Sequence, residues 1–344
     1  MRLFYFIFLT KCILLNCQSL DGRLISKQNL FQSEVPEESG TKAKLTAEHY
    51  LISNERRIDL YKPYIQNMGG GYIGVGTDQN LTLAAWTRSE FIWLMDFDPV
   101  VVKINKMHIA IIRNCVDYAC FKNSWLPSNQ KETWLLLEKE LKNEKDFSEY
   151  KKAFQLAMSK NYGIHSRLNE LDFMTKNFGF QSFHTDPNDY NHLRQLVLKN
   201  RIRALKGDLK RNGTMRLISK IATEMDIPIR IVYTSNAEEY FRFPEEYRQN
   251  ILALPTDEKS YHVRTFSTGA KSALGFPEGE KYPDQYPFHY NLQKIENLKE
   301  WMRFRAFLTP ITLMKGRREI SKGFSIQEST PVQQKLKETG RIEK

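Results

Sequence analysis

The stretch GGGYIGVGTDQNLTLAAWTRSEFIWLMDFDP, Gly69 to Pro99, decides how the rest of the chain is read. It opens with five glycines in eight residues. Tyr72 to Val75 reads as a short buried strand. Leu81 to Arg88 reads as a short helix, with Asp78 or Asn80 as the polar residue that caps its free amides. Phe91 to Met95 reads as a second buried strand. Pro99 stands at a favoured first-turn position of the next helix, which is predicted to run on through Cys115 and Cys120 to Phe121. Strand, glycine turn, helix, strand and helix in this order begin an open parallel sheet.

Working outward, residues 128–200 are charged and helical in pattern. KETWLLLEKELKN and SEYKKAFQLAM carry apolar stripes at helical spacing, and Asp186 before Pro187 starts another helix. This block, about 121–200, reads as a helical insertion over one end of the sheet. The alternation then resumes. Ile202 to Leu205 is a strand ending at Gly207-Asp208, Thr214 to Met225 a helix, and Ile229 to Tyr233 a strand ending in Thr234-Ser235-Asn236. NILALPT, SYHVRTFST and FHYNLQKI supply further strands. The expected fold is α/β, a Rossmann-like, mostly parallel open sheet with that insertion. The folded domain is placed at 46–315, beginning with a helix over Ala47 to Tyr64. Residues 316–344 are charged and weakly patterned and read as a tail.

The first residues, MRLFYFIFLTKCILLNCQS, have the shape of a secretory signal peptide, too short and interrupted for a spanning helix. Leu14-Leu15-Asn16-Cys17 resembles a bacterial lipobox, which implies a signal over 1–16, lipidation at Cys17 and attachment to a membrane through that lipid. The alternative is an apolar element of a cytoplasmic protein. Residues 17–45 are polar and read as a flexible tether. Cys115 and Cys120 suit neither a redox pair nor a metal clamp. On one continuous helix they would point apart and remain buried, inert thiols.

A formal net charge of +11 suggests anionic partners, but the chain has no run of five or six basic residues, so the charge reads as spread over a solvated surface. There is no zinc-finger spacing and no nucleic-acid-binding aromatic signature. No GxxxxGK[ST] occurs, which excludes a P-loop, and no GxSxG elbow. Gln79 stands where a dinucleotide fingerprint needs its third glycine. HTDPNDYNH, with His184, Asp186, Asp189 and His192, reads as a turn and helix start rather than a metal site. Glu238, Glu239 and Tyr240 offer acid–base groups, or simply carboxylates at a helix N-terminus. The five tryptophans read as packing residues.

In open α/β sheets, ligands sit at the carboxyl ends of the strands. Four strand ends here carry suggestive groups: GVGTDQN, Asp96 with Asp98, Asp208, and Ser235 with Asn236. The set resembles the class I S-adenosylmethionine-dependent methyltransferase fold over roughly Tyr64 to Leu298. More narrowly, GGGYIGVGTDQN, IRALKGDL and IVYTSNAEEYF resemble an uncharacterised bacterial family of that fold. The resemblance implies S-adenosylmethionine as cofactor and no metal. Gly74, Gly76 and Asp78 would form the methionine-side loop, Asp96 or Asp98 would hold the ribose, and Asp208 would lie beside the adenine. Ser235 and Asn236 would face an unknown small-molecule or macromolecular acceptor. Tyr72 replaces the acid usual before the loop, and the Asn-Pro-Pro-aromatic motif is absent from the fourth strand. The resemblance thus speaks to fold before activity. Methyl transfer also needs the cytoplasmic cofactor pool, which an exported protein would not meet. The expected function is therefore either a methyltransferase-like protein or an exported, non-enzymatic binding module on the same fold.

Overall fold

The computed structural model describes residues 25–36, 38, 49–269, 274–280, 287–304 and 309–333. A short helix α1 (residues 25–31) and α2 (Lys62–Ile65) precede β1 (Gly71–Val75). Then come α3 (Gln79–Thr87), β2 (Phe91–Asp96) and α4 (Pro99–Asn114). Five helices follow: α5 (Tyr118–Ser124), α6 (Gln130–Leu141), α7 (Phe147–Ala157), α8 (Ile164–Phe178) and α9 (Pro187–Leu198). The sheet resumes with β3 (Ile202–Lys206), α10 (Thr214–Glu224), β4 (Ile229–Ser235), α11 (Glu245–Leu252) and β5 (Tyr261–Ser267). It closes with β6 (Phe288–Lys294), α12 (Ile295–Arg303), α13 (Pro310–Met314), β7 (Arg317–Ser321) and β8 (Phe324–Gln327).

The strands lie in the order β3-β2-β1-β4-β5-β6-β8-β7. The first five are parallel, and β6 is antiparallel to β5. This is a Rossmann-like sheet of the methyltransferase type. Alternation along each strand divides the core. Tyr72, Ile92, Leu94, Ile231 and Tyr233 pack with α3, α4 and the insertion on one face. Ile73, Trp93, Met95, Ile229 and Val232 pack with α10, α11 and α12 on the other. Both faces are covered, which is why the strands read as unbroken apolar runs. The order reverses beside β1, so the carboxyl ends of β1 and β4 flank the switch point where such sheets bind ligands.

Several expectations are corrected. Residues 25–36 and 38 are not a tether. Phe31 is fully buried, with its ring centroid 5.1 Å from Phe91 and 4.9 Å from Trp93. Arg203 holds the carbonyl of Ser33 at 2.8 Å. Low hydrophobic content hid one well-placed anchor. Within the predicted helix, residues 49–64 do not form one helix: only Ile58–Tyr61, a 3-10 turn, and α2 are helical, and residues 49–57 cross the strand ends without regular structure. The tail from 316 contains β7 and β8, which join the sheet beyond β6. NILALPT begins in α11 rather than in a strand.

The helix predicted to run through Cys120 ends at Cys115, whose backbone turns extended at φ −102° and ψ 124°. Asp117 starts α5 by accepting from the Cys120 amide at 2.9 Å. That break brings the two cysteines to a Cα separation of 5.3 Å, and they form a disulfide rather than inert thiols. Residues 1–16, read as a signal peptide, Cys17 and residues 334–344 lie outside the described residues. No helix among the described residues is long and apolar enough to cross a membrane.

If α1 is part of the fold, Phe31→Ala should lower unfolding free energy by about 3–5 kcal/mol in urea titration. A tether residue would change it by less than about 0.5 kcal/mol.

Candidate functional site

The loop after β1 follows from its neighbours. A Cβ on Gly74 would meet Asn80 Oδ1 at 1.9 Å and the Tyr72 ring at 2.5 Å. Asn80 is held there by the Tyr72 hydroxyl, which donates to its Oδ1 at 2.7 Å, while its own Nδ2 donates to the Val75 carbonyl at 3.0 Å. Gly76 adopts φ +93°, and the space a Cβ would take is filled by Gln79 Nε2, 2.5 Å away. Gly74 is thus required by the close approach of Asn80 and Tyr72, and Gly76 by its positive φ.

Asp78 was expected to cap α3 or to join the cofactor loop. It does neither: its side chain makes no cap hydrogen bond. Its Oδ1 accepts from the Ser53 amide at 2.8 Å, and its Oδ2 pairs with Arg167 Nε at 2.9 Å. Arg167 comes from α8 of the insertion and is 1% exposed. Its other nitrogens reach the Glu55 carbonyl at 2.9 Å and Glu170 at 2.7 Å.

Asp96, at the end of β2, does lie against the loop. Its Oδ2 accepts from the Gly76 amide at 3.1 Å and its Oδ1 from the Asp98 amide at 2.9 Å. Burial pushes its carboxyl up to about 7; nearby Asp98 adds to this, and backbone amides act against it. Asp98 caps α4 through the Val100 amide at 2.8 Å and holds His49 Nδ1 at 2.7 Å.

Past β3, Asp208 Oδ1 accepts from the Lys210 amide at 2.9 Å. The surrounding loop holds an anion supplied by the chain. Glu38 receives the Asp208, Gly213 and Thr214 amides, each at 2.7 Å, at the N-terminus of α10.

At the end of β4, Ser235 has φ 52° and donates to Glu55 Oε1 at 2.7 Å. Thr265 donates to the same oxygen at 2.5 Å, and Tyr233 to Oε2. Glu55 is fully buried, which raises its pKa; these three hydrogen bonds and the Arg167 charge counteract that rise. Asn236 is half-buried, with Nδ2 3.4 Å from the Tyr240 hydroxyl. A second buried acid, Glu280, accepts from the Tyr290 hydroxyl at 2.6 Å and from the Arg56 and Arg57 amides at 3.2 and 3.1 Å.

The structure thus brings Gly76, Asp96 and Asp98 together at the switch point. It engages Asp78, Asp208 and Ser235 with the chain's own residues. The residues present do not fit an adenosyl ligand in this arrangement. Arg167 pairs with Asp78, Glu38 occupies the amides beside Asp208, and Ser53 and Glu55 lie over the ends of β1, β4 and β5. Glu38, Glu55, Arg167 and Glu280 were not singled out from sequence. The charged run NERRIDLYKPY just ahead of β1 was the one local signal for Glu55.

The other clusters are structural. His184 bonds Thr175 and Ser182, Asp186 caps α9, Asp189 pairs with Arg88, and His192 reaches the Ser89 carbonyl. Among the described residues no group of acids, histidines and cysteines could hold a metal. Glu238 pairs with Arg264 at 3.2 Å in the interior, and Glu239 accepts from the Ser267 amide at 2.9 Å.

Over residues 50–329 the sequence matches the model of a domain of unknown function, DUF7790. No curated protein matches the chain. Among solved structures, the rRNA methyltransferase aviRa from Streptomyces viridochromogenes is similar at 11% identity and a TM-score of 0.27, covering 77% of this chain and 91% of that one. A superposition that loose carries no argument, and the fold assignment rests on strand order.

Burial holds the Glu280 pKa up at about 8, against an ordinary 4.5, and the charge of Glu55 adds to it. Below the ordinary value, folded and unfolded chains both keep this proton. Between 4.5 and about 8 only the unfolded chain releases it, so this group's contribution makes stability fall as pH rises. Asp96 acts in the same direction up to about 7. Glu280→Gln should therefore lose less thermal stability than the parent between about pH 5.5 and 8, read by calorimetry. An identical loss in both proteins would contradict a buried neutral Glu280.

Proposed function

This chain belongs to the DUF7790 family, and on that premise we propose that it is a non-catalytic binding module built on a methyltransferase-like fold, exported and held at a membrane surface by a lipid on Cys17. One observation carries the non-catalytic half. Asp78, Ser235 and the amides beside Asp208, which an adenosyl cofactor would use, are engaged by Ser53, Arg167, Glu55 and Glu38 of the same chain. A cofactor would have to displace a buried ion pair and a three-amide carboxylate site to enter. Breaking a buried pair costs about 3–5 kcal/mol.

Export draws support from a second, independent feature. A Cys115–Cys120 disulfide suits an oxidising compartment, since structural disulfides are rare where glutathione keeps thiols reduced. The apolar first residues and Leu14 to Cys17 agree with that compartment. The competing reading, an S-adenosylmethionine-dependent methyltransferase, keeps one observation in its favour: Gly76 and Asp96 meet at the switch point as that chemistry would need.

Isothermal titration separates the two. Neither S-adenosylmethionine nor S-adenosylhomocysteine at millimolar concentration should give a saturable heat, and a dissociation constant below about 100 μM would overturn the non-catalytic reading. For the compartment, palmitate labelling should be sensitive to globomycin and lost in Cys17→Ala. Recovery of unlabelled protein carrying Met1 from the cytosol would reject export.

A further inference from the structure

The helical insertion carries a cleft of about 390 Å³ between α6 and α7, lined by Trp134, Phe154, Lys131, Lys151, Gln130 and Gln155 among others. We propose that this cleft binds an anionic saccharide, a sugar bearing a carboxylate or a phosphate. The proposal rests on the reading of the chain as a binding module and names the ligand class.

Size comes first: the volume falls in the range of about 300–1,000 Å³ typical of small-ligand sites. The second argument is the aromatic wall. Trp86, Trp93, Trp125 and Trp301 are buried, whereas Trp134 is partly exposed and lines the cleft. Its ring stacks on Phe147 at 5.8 Å and tilts against Phe154 at 5.4 Å, so it is held in place before any ligand arrives. The fixed, partly exposed indole supplies an apolar contact for the C–H groups of a sugar ring. Two primary amides stand in the same lining. Gln130 and Gln155 are exposed and make no side-chain hydrogen bond among the described residues. Each presents a donor pair and an acceptor, the complement of neighbouring sugar hydroxyls.

Charge supplies the third argument. Lys131 and Lys151 are exposed, make no ion pair among the described residues, and share the lining with no acid. The contrast lies on the other side of α7. A smaller cleft of about 180 Å³ there also holds lysines. Two of these are already neutralised, Lys103 by Glu149 at 2.7 Å and Lys106 by Glu144 at 2.5 Å. Unneutralised cations beside an aromatic ring and free amides suit a charged sugar better than a neutral one. The competitor is an acidic peptide. The flat ring and paired amides favour a rigid polyol over a flexible chain.

The test uses the whole chain, with digalacturonate and glucose 6-phosphate as probes and neutral galactobiose as control. Binding is read by calorimetry and by fluorescence, in which Trp134 is the tryptophan that faces a ligand. At least one anionic probe should quench saturably, bind about tenfold tighter than the neutral sugar, and weaken at high salt. Lys131→Ala with Lys151→Ala should lose about tenfold or more, and the Lys→Arg pair should retain binding. The thermal midpoint of these surface variants should stay unchanged, which separates lost binding from lost folding. Absence of saturation with both anionic probes overturns the proposal. So does equal affinity for the neutral sugar, undiminished binding in the double alanine variant, or tighter binding of a deca-glutamate peptide. A silent sugar titration beside a silent S-adenosylmethionine titration overturns this ligand class and leaves the binding-module reading standing. Tight S-adenosylmethionine binding would reject that reading directly, whatever the sugar does.

Discussion

Arg167 holds three distant parts of the chain in one place. Its guanidinium, buried to 1% exposure, joins Asp78 of the loop after β1, the backbone of Glu55 ahead of the sheet, and Glu170 of its own helix. Glu170 in turn holds Arg56 at 2.6 Å. A charge in such surroundings is tolerated because every direction ends on an acceptor. Remove the guanidinium and Asp78 is left buried with the Ser53 amide and the Thr77 hydroxyl, while the insertion keeps only Glu170–Arg56 as its charged tie to this segment. Arg167 is thus one of the groups that hold residues 53–57 over the strand ends, beside the hydrogen bonds of Ser53, Glu55 and Glu280.

That constraint changes what the glycine loop means. In a working nucleotide or adenosyl site, glycines leave space that the ligand fills. Here the same spaces are filled by Asn80 and Gln79, and the nearby carboxylates meet backbone amides. The sheet keeps the strand order of a cofactor-binding fold, and several polar groups at its strand ends bond one another. Fold and chemistry can separate in this way because strand order depends on apolar faces and the site depends on a handful of loop groups.

What was legible in the sequence follows the same division. Residues 72–75, 91–95, 202–205 and 229–233 read correctly as strands because each is a short apolar run bounded by turn residues, the pattern that burial on both faces demands. The last strands were missed for the opposite reason. Arg317, Arg318 and Glu319 sit in β7 at the edge of the sheet, where charge guards against unwanted pairing and makes a strand resemble a tail. The disulfide was hidden by a helix that looked continuous until Asp117 broke it. The loop acids of the candidate site could be found, since they follow strands. Their occupants could not: Arg167 lies 89 residues from Asp78, Glu38 lies 170 from Asp208, and Glu55 lies 180 from Ser235. Contacts at that separation leave no local pattern.

Those separations also order events in time. Phe31 and Glu38 dock on β2, β3 and the start of α10, and Glu55 docks on β4 and β5. Every one of these partners is synthesised after the segment that needs it, most of them by well over a hundred residues. Closing such long loops is slow and requires the partner to exist. The described segment ahead of β1 therefore completes its contacts only once β5 has been made, long after its own synthesis.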